Sequence, residues 1–230
     1  MTSVTPTAIV TGGNSGIGEA IARCLAERGM NLVLAGRRTE ENTRVADEVA
    51  RASGVGVVAV KADVTREEDC LRIVGTAEER FGRLDLLVNN AGIGIHGRIV
   101  DTDTETFERT MRTNVFSAYW CSREAYRLIM ENGPSPETGL RGAIVNISSV
   151  LGVDAWERTG MYAASKQAMN GLTRAMAEEG VRDLIRVAAV CPAMVATPMT
   201  GVSGPGYIAP EDIAKTVAYL LDLSPAAWPR

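Results

Sequence analysis

Short apolar runs alternate with amphipathic stretches along the whole chain. The runs at 7–10, 31–36, 55–60, 84–88, 142–147 and 185–190 are rich in Val, Ile, Leu and Ala and suit buried strands. Between them, apolar residues recur at helical spacing: Ile21 and Leu25 within 19–28, Val45 and Val49 within 40–52, then 67–81, 104–130, 160–179 and 211–223. In the stretch from 160, the residues Met161, Ala164, Ala168, Met169, Leu172 and Met176 mark the expected packed face. This alternation predicts right-handed crossovers, and hence an α/β fold. We expect a single domain over 1–230: a doubly wound parallel sheet of six to seven strands with helices on both faces. The turn-rich segment Asn132–Arg141 reads as a surface loop of that domain, and no internal repeat is present.

One junction carries candidate chemistry. Between the first strand and first helix stands Thr11-Gly12-Gly13-Asn14-Ser15-Gly16-Ile17-Gly18. Glycines there permit a tight turn and close approach of a ligand, and the helix start offers free N–H groups to a pyrophosphate. An acid about 20 residues after the glycines commonly takes the ribose hydroxyls of NAD. That place holds Gly36, followed by Arg37 and Arg38. A guanidinium grips a 2′-phosphate where a carboxylate repels it, so NADP(H) is the expected cofactor and NAD(H) the alternative. Asp63 and Val64 end the third strand, where the carboxylate can meet an adenine amino group or serve as a helix cap, as Thr65 also can. Asn89-Asn90-Ala91-Gly92 follows the fourth strand and leaves room for a flat ring. Asn114 sits inside the 104–130 helix, where an amide is a mediocre helix former. Ser148 and Ser149 follow the fifth strand; Tyr162 and Lys166 lie one helical turn apart and can act on one ligand.

Composition narrows the classes. The chain is 46% hydrophobic and 23% charged with a net charge of −4, which gives no basic field for nucleic acid. Cys24, Cys70, Cys121 and Cys191 are far apart and the chain has one histidine, His96, so neither a metal site nor a disulfide framework is expected. The cysteines are expected to be buried small residues. With no leader and no apolar run of membrane-spanning length, the expected location is cytoplasmic, with no membrane partner.

Thr11-Gly12-xxx-Gly16-x-Gly18, Asp63, Asn89-Asn90-Ala91-Gly92, Asn114, Ser149 and Tyr162-xxx-Lys166, in this order, resemble the short-chain dehydrogenase/reductases in their compact, Rossmann-type branch. The resemblance covers nearly the whole chain and implies hydride transfer between a nicotinamide and a carbonyl or secondary alcohol. It implies Tyr162 as general acid/base and Lys166 as the group that lowers its pKa and binds the nicotinamide ribose. Ser149 would bond the substrate oxygen, and Asn114 would hold a water linking Lys166 to solvent. Cofactor contacts are expected from Gly12, Asn14, Ser15, Gly16, Ile17, Gly18, Arg37, Arg38, Asp63, Val64, Asn90, Ala91, Gly92, Tyr162, Lys166, Pro192 and Thr197. Ser149, Leu151, Trp156 and Met194 are candidates for the substrate pocket, with His96 a further residue facing it. Pro192-Ala193 departs from the family's more frequent Pro-Gly. The family's last strand is replaced by Ser224-Pro225-Ala226-Ala227-Trp228-Pro229, so a homodimer through the two long helices is expected before a tetramer. A sugar-nucleotide epimerase would share Tyr-xxx-Lys but needs different glycine spacing and a larger C-terminal domain. A non-catalytic redox sensor would have little need of the Ser-Tyr-Lys set.

Overall fold

The computed structural model describes residues 5–228. Six strands form one parallel sheet: β1 (Thr7–Thr11), β2 (Asn31–Gly36), β3 (Val57–Lys61), β4 (Leu86–Asn89), β5 (Gly142–Ile147) and β6 (Ile185–Val190). Seven α-helices connect and cover them: α1 (Gly16–Glu27), α2 (Thr39–Ser53), α3 (Glu67–Phe81), α4 (Thr104–Met111), α5 (Ser117–Met130), α6 (Gly160–Asp183) and α7 (Pro210–Asp222). The strand order is β3-β2-β1-β4-β5-β6, so the winding direction reverses between β1 and β4. That reversal opens a crevice at the carboxyl ends of these two strands, where such sheets take ligands.

Strand alternation divides the core into two layers. Ala8 and Val10 of β1 face α1, α2 and α7 with Ile21, Leu25, Val45, Val49 and Val217. Ile9, one residue out of phase, faces α3 and α5 with Ile73, Leu87, Trp120 and Ile129. Full burial on both faces is why these strands read as continuous apolar runs. Each such side chain contributes about 1.5–3 kcal/mol through burial.

Three boundaries depart from the pattern. The third strand begins at Val57, because the Gly56 N–H is taken by Asn31 Oδ1 at 2.9 Å. The fourth is confined to Leu86–Asn89, with the preceding Asp85 accepting from Thr7 N through its carboxylate at 2.8 Å. The expected single helix over 104–130 is interrupted by a π-helical turn at Arg112–Phe116, which carries Asn114. The packed face of α6 also differs from its apolar pattern. Ala164 is exposed, whereas Ser165, Lys166, Asn170 and Thr173 are buried with Met161 and Met169. Of the cysteines only Cys70 and Cys121 are buried; Cys24 is half-buried and Cys191 is exposed beside Asn170. Among the described residues no helix is long and apolar enough to cross a membrane.

Candidate active site

The crevice is a cleft of about 540 Å³ running from the glycine turn to Tyr162. At its floor Gly12 adopts φ +66° and donates its N–H to Ala35 O at 2.8 Å, which folds the turn onto the end of β2. A side chain at Gly12 would be strained, and its Cβ would come within 3.0 Å of Asn90 Nδ2. Asn90 closes the opposite wall: its Nδ2 donates to Thr11 O at 2.9 Å and Gly12 O at 3.1 Å. Thr11 Oγ1 accepts in return from Asn90 N and Ala91 N at 3.0 and 3.1 Å.

The paired asparagines therefore divide their work along the strand's alternation. Asn89 points into the core, where its Nδ2 donates to Asn146 Oδ1 at 2.8 Å and Ser122 Oγ at 2.9 Å. Asn146 Nδ2 passes the chain of bonds to Thr173 Oγ1 at 2.8 Å. This buried relay ties β4 and β5 to α5 and α6 behind the cleft.

Asn114 is a brace. Its Nδ2 donates to Ile93 O at 2.9 Å and Ser165 Oγ at 3.0 Å, while its Oδ1 accepts from Ile93 N at 2.8 Å. Both amide hydrogens are thus committed to the protein. Ser165 Oγ donates to Tyr162 O at 2.7 Å, so the loop after β4 is locked to the helix carrying Tyr162 and Lys166. The π turn brings Asn114 round to this contact, a common use of such turns at functional sites. Ser165 and Ile93 were missed by sequence reasoning. Ser165 stands three residues after Tyr162, on the same helix face, and that spacing was the available signal.

Lys166 is buried and donates from Nζ to Ile147 O at 2.8 Å. Burial lowers its pKa from 10.5 to about 8, with Cys191 acting weakly in the other direction. Burial raises the Tyr162 phenol above its ordinary value, and a hydrogen bond with Ser149 opposes that rise. The Lys166 ammonium lies 5.7 Å from the Tyr162 ring centroid and is turned to Ile147. Ser149 Oγ also accepts from Leu151 N at 3.1 Å, which fixes its rotamer.

The lysine has a consequence for pH. The unfolded chain holds the lysine proton up to its ordinary pKa near 10.5, whereas the folded chain releases it from about 8. The unfolded state thus binds more protons between these values, and this group makes stability rise with pH across the window. Melting curves from pH about 8 to about 10 should show a smaller rise for Lys166→Met than for the parent, and parallel curves would refute the desolvated lysine.

The cleft wall gathers Gly12, Asn14, Ser15, Gly16, Ile17, Arg37, Arg38, Asp63, Val64, Asn90, Ala91, Gly92, Ser149, Tyr162, Lys166, Pro192 and Thr197, together with Ile93, Ser148 and Met199. Besides Asn114 and His96, four expected residues are not part of this wall. Gly18 lies beneath the turn, where a Cβ would meet Gly12 O at 2.1 Å; it serves helix packing. Leu151 is buried in a short 3₁₀ turn, and Trp156 and Met194 are half exposed away from the cleft wall. Asp63 Oδ1 accepts from Thr65 N and Thr65 Oγ1 at 3.0 and 2.9 Å, a turn whose two residues both line the cleft.

The residues fit a dinucleotide: a turn that a Cβ would obstruct, a wall of small residues, cations at one end and a Ser-Tyr-Lys set at the other. Comparisons with known proteins point the same way. The family model described as short chain dehydrogenase matches residues 6–207. An uncharacterised oxidoreductase of Staphylococcus saprophyticus is 32% identical over 217 residues, covering 93% of this chain and 90% of the relative. Among solved structures, an alcohol dehydrogenase from the archaeon Thermococcus sibiricus, complexed with 5-hydroxy-NADP, superposes with a TM-score of 0.87 at 28% identity, covering 95% and 91% of the two chains. A variant of actinorhodin polyketide ketoreductase with NADPH gives 0.86 at 30% identity, covering 97% and 92%. With its parallel six-stranded sheet and a family match over most of its length, this chain is an oxidoreductase belonging to the short-chain dehydrogenase family.

Proposed function

We propose that the enzyme transfers a hydride between NADP(H) and a carbonyl or secondary alcohol, with Tyr162 as general acid in reduction and general base in oxidation. The observation that carries this reading is the meeting of Ser149, Tyr162 and Lys166 on one wall of the cleft whose other end holds Arg37 and Arg38. A reduced nicotinamide supplies the hydride when bound. Hydride addition leaves charge on the carbonyl oxygen, which Ser149 Oγ and Tyr162 Oη are placed to bond and Tyr162 Oη to protonate. Lys166 Nζ, seated on Ile147 O, holds positive charge beside the phenol and takes the nicotinamide ribose. Asn114 keeps the loop and the catalytic helix in register. The adjacent arrangement of Ala91 and Gly92 leaves the nicotinamide side of the cleft free of bulky side chains. The test is NADPH oxidation, followed by absorbance, across a panel of ketones and aldehydes, with the reverse reaction run on alcohols. A protein that binds NADPH yet turns over no member of the panel refutes the reading.

The assembly proposed is a homodimer acting in the cytoplasm on small molecules. Phe116, Tyr119 and Met130 expose apolar surface along the α5 segment, with Leu71 of α3 beside it. Light scattering at micromolar concentration is expected to give twice the chain mass. A monomer refutes the dimer, and a tetramer shows a second interface that needs no seventh strand.

A further inference from the structure

The rim of the cleft beside Tyr162 holds the only histidine of the chain. The His96 ring is tilted 54° against the Tyr162 ring, with centroids 5.7 Å apart, and it is exposed. Its Nε2 and Met199 Sδ lie on either hand of Gly94: a Cβ built there would be 3.7 Å from His96 Nε2 and 3.9 Å from Met199 Sδ. Met199 itself lines the cleft. The loop that carries His96 is anchored, since Gly97 N donates to Arg158 O at 2.8 Å. Ile93, at its start, is held by Asn114 at both its N–H and its carbonyl. Among the described residues the imidazole nitrogens take no protein hydrogen bond, the neighbouring bonds being made by Ile93 and Thr102. A fixed ring with an uncommitted donor therefore stands over the proton-transferring residue.

A carbonyl oxygen bonded by Tyr162 and Ser149 places its substituents at this rim. The His96 and Tyr162 ring centroids are 5.7 Å apart, so the substituents of the reacting carbonyl are the part of a substrate nearest His96. An oxygen there can accept a hydrogen bond of about 2.7–3.2 Å from the ring, while an alkyl group leaves the donor unused. A site that bonds such an oxygen favours compounds that carry it over those that lack it. We infer that His96 is a specificity residue, donating from its ring to a second oxygen vicinal to the reacting carbonyl. The substrate class is then vicinally oxygenated ketones: α-diketones, α-keto acids and α-hydroxy ketones. This inference rests on the hydride-transfer reading above.

The experiment compares kcat/KM with NADPH for butanone, butanedione, acetoin and α-ketobutyrate, which share one carbon skeleton, in the parent, His96→Leu and His96→Gln. Butanedione is intrinsically the more reactive electrophile, so the readout is the change in each ratio to butanone between proteins. In His96→Leu the ratio for the preferred oxygenated substrate should fall about tenfold, the loss of one hydrogen bond. His96→Gln keeps an N–H donor and should stay within about threefold of the parent. The substrate with the largest ratio identifies the second oxygen as carbonyl, hydroxyl or carboxylate. Unchanged ratios in His96→Leu, or equal falls in both variants, overturn the inference and leave hydride transfer standing. Absence of NADPH oxidation with all four compounds and with the wider panel overturns the hydride-transfer reading, and this inference with it.

Discussion

Tyr162→Phe is expected to lower kcat for carbonyl reduction by about 100-fold or more, while NADPH affinity stays within about threefold. The substitution keeps the ring, and with it the packing against His96 and the position of α6, but removes the one proton aimed at the substrate oxygen. Burial holds this phenol above its ordinary pKa, so it remains protonated through neutral pH and is ready to act as an acid. The sign for pH follows. Reduction consumes the protonated phenol and should decline as alkaline pH removes that proton; oxidation consumes the phenolate and should rise. Lys166 promotes the second form by its charge and loses that influence as it deprotonates above about 8, so the two limbs are linked. In Tyr162→Phe both limbs should flatten. Turnover within tenfold of the parent, on any accepted substrate, would remove Tyr162 from the chemistry and leave Ser149 or a bound water as the proton source. Such a result would also separate catalysis from binding, since the ribose contact proposed for Lys166 does not depend on the phenol oxygen.

The sheet was legible because every central strand is covered on both faces, which forces continuous apolar runs separated by helical periods. The lining of the cleft was legible for a different reason: a ligand crevice at the strand ends needs particular residue types there, as at Gly12, Arg37 and Tyr162. Legibility failed where a tertiary contact overrides local pattern. The buried face of α6 is partly polar, because Ser165, Lys166, Asn170 and Thr173 bond into the site, and an apolar count along that helix points to Ala164 instead. The π turn at Arg112–Phe116 depends on Asn114 reaching Ile93, a residue 21 positions earlier, and no local propensity encodes it. Gly18 looks like a phosphate glycine in the motif, yet the oxygen that excludes its Cβ belongs to Gly12 of the same turn. The candidate substrate residues Leu151, Trp156 and Met194 were chosen by hydrophobicity alone, a property shared by core, rim and surface. His96, expected to face the substrate from its place after the Asn89-Asn90-Ala91-Gly92 segment, packs against Tyr162, and Met199 lines the cleft.

Arg37→Ala is expected to weaken NADPH binding by roughly 10- to 150-fold while changing NADH binding less than about threefold, as read by fluorescence titration. The range corresponds to about 1.5–3 kcal/mol for a guanidinium bonded to a doubly charged phosphate. The structure explains why an acid is missing from the place where NAD-binding folds keep one. A Cβ at Gly36 would lie 2.8 Å from Asn14 Nδ2, so a side chain there would push the Asn14 amide from its place on the glycine turn. The next residue, Arg37, is exposed at the end of β2 and lines both this end of the cleft and the adjoining groove with Lys61, Arg66 and Arg72. Its neighbour is more constrained: Arg38 donates from Nη2 to Ser15 Oγ at 3.2 Å and pairs through Nη1 with Glu41 at 3.3 Å. Arg38 thereby brings a cation to Ser15, but Glu41 offsets part of its charge. Arg37 should therefore carry the larger share of the discrimination, with Arg38→Ala costing less and the double substitution leaving near-equal affinities. Salt supplies an independent check, because an exposed charge contact is screened: the NADPH preference should shrink as ionic strength rises, and should do so less in Arg37→Ala. Equal affinity of the parent for both cofactors, or tighter NADH binding, would refute the arginine clamp and assign the exposed end of the cleft to the ribose hydroxyls alone.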